Sequence, residues 1–174
     1  MKMTVGKWLD NEDKQCRDDR IKRLKWTKKK YPRIEISLFY GGLKSRYLFE
    51  EARYCFVYGQ YIASTLLSLS YIENELASFL YASGENDIKG KRVVDLLKAA
   101  RENKLISQSE FDVLDKVRKI RNPLTHFRKP VDKDTIEYRS VMNYRHPYEI
   151  IEEDAKIALR ANFRIMTKFA VATP

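Results

Sequence analysis

The residues best suited to chemistry lie together in the hexapeptide Arg121-Asn122-Pro123-Leu124-Thr125-His126, which holds one of the two histidines of the chain. Arginine is a permanent cation whose fork of donors suits a phosphate, and histidine is the side chain that exchanges protons near neutral pH. Phosphate chemistry needs such a pairing, positive charge on the developing anion and a group that moves a proton. Arg121 suits the first role and His126 the second. Pro123 brings no amide hydrogen, and Asn122 before it is steered away from helical backbone. A helix is therefore expected to kink or end here and to present both side chains to one small volume. Arg118, Lys119 and Arg128 lie close enough in sequence to extend a phosphate track. A structural role competes with this reading, because an arginine and a histidine near a helix end also cap carbonyls or satisfy a buried acid, and Glu73 is the candidate partner for Arg121. His146, directly before Pro147, reads as an exposed cap and not a second catalytic group.

The elements that must position the motif are helical. From about Ser45 to Tyr81, Phe49, Phe56, Ile62, Leu66, Leu69, Leu76 and Leu80 form a broad apolar stripe, in one long helix or in two joined near Gly59. Ser83 to Asp87 are turn formers. A second helix is expected over about Gly90 to Asn103, burying Val93, Val94, Leu96, Leu97 and Ala100. A third follows Ser107, which pairs with Glu110 as a capping box, and runs through Phe111, Leu114 and Val117 to the motif. The stretch from Val131 to Arg145 shows no clear period and reads as a loop with a hairpin, long enough to carry function. Pro147 suits the first position of a last helix through Ile151, Ala155, Ala158, Phe163, Ile165 and Phe169. The fold class is all-α, an antiparallel helical bundle of four or more helices. Tyr47, Tyr54, Tyr58 and Tyr61 fall near one helix face, which core packing or a dimer interface explains better than a base-stacking platform.

Ahead of this body, residues 1–44 form a basic extension to a helical domain at 45–174. Arg17, Arg20, Lys22, Arg23, Lys25, Lys28, Lys29 and Lys30 crowd around Trp26, and Ile21 and Leu24 suggest a short helix. Either this arm touches nucleic-acid phosphates with Trp26 stacked on a base, or it docks on the body through Trp8, Leu24 and Trp26. Ile34, Ile36, Leu38 and Tyr40 alternate with polar neighbours as in a short edge strand before Gly41-Gly42.

Composition narrows the partners. The chain has 174 residues, 44% of them apolar and 12% aromatic, enough for one domain with a substantial core. Lysine and arginine number 34 against 24 acids, a formal charge of +10, so anionic partners are favoured, nucleic acid first. Cys16 and Cys55 have no metal-type spacing and read as reduced thiols in a cytoplasmic protein. No glycine-rich phosphate loop, zinc spacing or paired acidic metal site is visible. The opening residues lack the apolar core of a cleavable signal, and the apolar stretch Ile62 to Ala82 is broken by Glu73, Asn74 and Glu75, as in a buried helix and not a membrane span.

The order of Tyr71-Ile72-Glu73-Asn74-Glu75-Leu76, then Asp95-Leu96-Leu97, then Val117 to His126 resembles the HEPN superfamily of all-helical domains, over roughly Ser45 to Phe169. Its signature of an arginine, a polar residue and a histidine a few positions later is matched by Arg121, Asn122 and His126. The resemblance implies a metal-independent endoribonuclease without cofactor, often a toxin or antiviral effector, whose site forms across a homodimer. Arg121 carries over as the phosphate-binding cation, Asn122 as the orienting polar residue and His126 as the proton-transfer residue. It also implies an alternative, since the superfamily includes inactive members that bind RNA or protein, and a third setting in which an antitoxin or nucleotidyltransferase partner silences the enzyme.

Overall fold

The computed structural model describes residues 4–31 and 39–169. Among them seven helices form an all-α bundle: α1 Val5–Lys30, α2 Gly42–Val57, α3 Tyr61–Ala82, α4 Val93–Glu102, α5 Gln108–Thr125, α6 Ile136–Asn143 and α7 Pro147–Phe169. No helix among the described residues is long and apolar enough to cross a membrane. Most of the expected edge strand, Ile34 to Leu38, lies outside the described residues.

Helix α3 occupies the centre, packed against α2, α4, α5 and α7. Leu69, Ile72, Leu76 and Leu80 are buried, and Ser64, Thr65 and Ser68 are buried with them. These small side chains let backbones approach. The Ser64 hydroxyl donates to the Ala52 carbonyl on α2 at 2.8 Å, and Thr65 turns its hydroxyl back to the Tyr61 carbonyl. Gly59, at φ +79°, makes the reversal between α2 and α3, so the long apolar pattern is two helices and not one. Phe49, Phe56 and Tyr71 meet Leu159, Phe163 and Phe169 of α7 in the core. The capping box forms as the sequence predicts: Glu110 N–H donates to the Ser107 hydroxyl at 3.2 Å, and Ser107 N–H donates to the Glu110 carboxylate at 2.7 Å. Pro147 opens α7.

Two expectations are overturned. The stretch from Val131 to Arg145 contains α6 in place of a hairpin. Thr135 caps it by accepting the Tyr138 N–H at 3.2 Å, and because α6 buries no side chain it leaves no apolar stripe in the sequence. The basic arm is not short: α1 has 26 residues, about 39 Å at the helical rise. Only its C-terminal part, from about Arg20, docks. Thr27 is buried, Trp26 lies 5.0 Å from the Phe56 ring, and Arg23 Nε donates to the Val57 carbonyl at 2.8 Å. Trp8 and Leu24, expected to dock as well, are 52% and 53% exposed. The exposed part is held as a helix by Thr4 at its cap and by pairs such as Arg20 with Asp13.

The turn into α2 hangs on a buried acid. Glu75, on α3, accepts the N–H groups of Tyr40 at 3.1 Å and Gly41 at 3.0 Å. Asn74 beside it donates to the Ser45 hydroxyl at 2.7 Å, so close that a Cβ on Gly41 would overlap both groups. Glu75→Ala leaves two backbone donors without their acceptor, and the expected cost is roughly 2–4 kcal/mol, read as a lower urea midpoint at unchanged m-value. A midpoint within error of the native protein contradicts this role.

Candidate active site

The motif occupies the last turns of α5. Pro123 lies inside the helix, which continues past it to Thr125. The helix thus ends within the hexapeptide, two residues after the proline: near a helix end the proline removes only its own bond to the carbonyl four residues back. The ladder then resumes with His126 N–H donating to the Asn122 carbonyl at 3.1 Å. His126 is the C-cap, at φ −125° and ψ 137°, and its extended backbone turns the chain away from the helix. Arg121 and Asn122 are half-buried and His126 is exposed. Among the described residues, the side chains of Arg121, Asn122 and His126 form no hydrogen bond or ion pair, with one another or with any neighbour.

Their flanking cations behave differently. Asp115 binds Arg118 at 2.7 Å and Lys119 at 2.8 Å. Burial alone would raise the Asp115 carboxyl, but the hydrogen bonds from Lys119 and Arg118 outweigh it and hold the group below its ordinary value. Arg128 reaches Asp134 at 3.4 Å and the Phe127 carbonyl at 3.1 Å. The three residues expected to extend the phosphate track are thus already matched to acids. Glu73, expected to support Arg121, forms no ion pair with it. It lines a cavity of about 720 Å³ with Lys44, Ile88, Lys89 and Lys91 instead. His146 serves as a cap, its Nδ1 accepting the Tyr148 N–H at 3.1 Å.

Sequence reasoning missed the pair that closes this region. Arg139 of α6 forms two 2.7 Å hydrogen bonds with the Asp154 carboxylate of α7. The Asp154 side chain is only 3% exposed, and its hydrogen bonds push the Arg139 guanidinium above its usual range. The signal was present, because Asp154 stands one turn from both Ile150 and Ala158 on the buried face of α7, where a carboxylate requires a partner. Arg145 binds Glu153 and Glu149, and the hydrogen bond from Arg145 holds the Glu153 carboxyl below its ordinary value. Arg139, Asp154, Arg145 and Glu153 line a cavity of about 390 Å³ together with Lys116, Lys119 and Ile120 of α5, the last of these next to Arg121 in sequence.

No family model, curated protein or solved structure matches the chain.

Asp154→Ala strands the Arg139 guanidinium against the core. The expected destabilisation is roughly 2–3 kcal/mol, below the range of fully buried pairs because Arg139 keeps solvent on one side. Replacing both partners together, Arg139→Met with Asp154→Leu, is expected to recover most of it in thermal or urea melts. Equal losses in the single and double variants contradict the pairing argument.

Proposed function

We propose that this protein is a metal-independent endoribonuclease in which Arg121 neutralises the scissile phosphate, Asn122 orients it and His126 transfers a proton. The observation that supports this reading is selective pairing: Arg118, Lys119 and Arg128 are engaged by carboxylates, whereas Arg121 and His126, on the same stretch of chain, have no intramolecular partner among the described residues. A half-buried guanidinium without an acid is suited to an anion that arrives from outside. An exposed imidazole five residues on, at the helix end, is open to a hydroxyl or a leaving oxygen.

The chemistry needs both an acid and a base, and His146 is occupied as a cap. In this reading a second chain brings the second His126. Around the motif the chain exposes Phe127, Val131, Val141, Met142 and Tyr144, with Phe127 at 89% and Tyr144 at 98%, apolar area that a second copy would cover. A cytoplasmic toxin or antiviral setting, with an antitoxin or nucleotidyltransferase partner holding the site closed, belongs to the same proposal. The alternative is a non-catalytic module that holds RNA or protein, and the single unengaged imidazole per chain favours it if the protein stays monomeric.

Incubation of the purified protein with single-stranded RNA in excess EDTA tests the reading. Products ending in 2′,3′-cyclic phosphate are expected, with the rate lowered about 10²–10⁴-fold in His126→Ala and about 10²–10³-fold in Arg121→Ala. A native protein that binds RNA without cutting it puts the binding module in place of the enzyme.

A further inference from the structure

At the opposite end of α5 from the motif, a cavity of about 470 Å³ opens between the C-terminus of α1, the start of α5 and the outer face of α7. Its walls carry Lys30, Arg160, Arg164 and Lys168 against a single acid, Glu110. Glu110 is already committed, to Lys168 at 2.8 Å and to the capping box. Lys30 has a local reason for its place, because a cation in the last turn of α1 complements the helix dipole. The two arginines have no such reason. The Arg160 guanidinium lies 5.9 Å from the Trp26 ring centroid, a contact that occupies one face of the group and leaves its edge donors open. Arg164 has neither carboxylate nor ring beside it among the described residues. Both are exposed. Arg160, Arg164 and Lys168 follow one another at four-residue steps on one face of α7, where like charges repel.

We propose that this groove is a backbone-binding track for single-stranded RNA, gripping phosphates to one side of the cleavage site. The identity of the anion rests on the ribonuclease reading; the site itself rests on the geometry above. A lone phosphate would satisfy one arginine, whereas a row about 12 Å long, at the helical rise per residue, matches successive phosphates of an extended strand. The track lies about 17 Å along α5 from Arg121, and α5 and α7 run side by side between the two places. Trp26 takes no part as a base-stacking platform, because it is packed on Phe56 and under Arg160.

The test is fluorescence anisotropy of a labelled single-stranded RNA with full-length His126→Ala protein, so that cleavage does not interfere, across a range of potassium chloride. Adding Arg160→Ala with Arg164→Ala is expected to weaken binding and to make the slope of log affinity against log salt shallower by about 1.4, near 0.7 for each lost phosphate contact on a single strand. Arg164→Glu alone is expected to weaken binding as well, and circular dichroism melts verify that each variant is folded. Affinity and slope equal to those of the His126→Ala parent overturn the track. So does binding to phosphatidylserine vesicles, lost in the double arginine variant, without binding to RNA. If the native protein proves unable to cut RNA while the double variant still loses its grip, the catalytic reading fails and the track stands. If the native protein cuts and the double variant binds as its parent does, the track alone fails.

Discussion

The surroundings of the motif depend on the contact between Arg139 and Asp154. Helix α6 buries none of its side chains, and an eight-residue helix has little stability of its own. What fastens it is a two-pronged pair with both hydrogen bonds at 2.7 Å, one partner almost fully enclosed. That pair ties α6 to α7, and with Thr135 buried at the helix start it fixes the far end of the connection that leaves His126. Charge at this point is therefore structural, and the nearby cations divide into those that hold the fold and those left over.

That division organises the chemistry. A chain with a formal charge of +10 has more cations than acids to match them, so bare lysines on its surface carry little information. The informative cases are arginines without acids where neighbours have them. Arg121 is one, next to a helix end shaped by Pro123 and an exposed imidazole. Arg160 and Arg164 are two more, on a groove whose single acid is spoken for. Both places lie along α5 and α7, which pack directly against one another and against the central α3. Rigid helices, not loops, thus set the separation between them.

Much of the scaffold was legible in the sequence because the signals were local or periodic. Ser107 with Glu110 marked the start of α5, Pro147 the start of α7 and the leucines of α3 its buried stripe, while Gly59 left one helix or two open until its positive φ decided for two. Helix α6 was not legible, since a helix held by one ion pair and a threonine cap has no apolar period. The length of α1 was hidden for a related reason: its exposed half is sustained by a cap and surface ion pairs, and the docking is carried by a few residues near its end, Arg23, Trp26 and Thr27. In the segment Glu73-Asn74-Glu75 the helical phase would have chosen Glu75, one turn after the buried Tyr71 and next to the buried Leu76. Its partners, the backbone amides of Tyr40 and Gly41, are more than thirty residues away and have no side-chain signature. Beside the motif, the pairing of Arg118 and Lys119 with Asp115 could have been read from their three- and four-residue spacing on one helix, whereas the lack of a partner for Arg121 among the described residues is seen only in three dimensions.

In the proposed reaction the His126 imidazole itself moves the proton, with no metal taking part. The most direct measurement is single-turnover cleavage of single-stranded RNA by His126→Ala protein in EDTA, with imidazole added at increasing concentration. A rate that is lost in the variant and returns in proportion to imidazole is the predicted result. A variant that cleaves as fast as the native protein without imidazole would show that His126 moves no proton in the reaction.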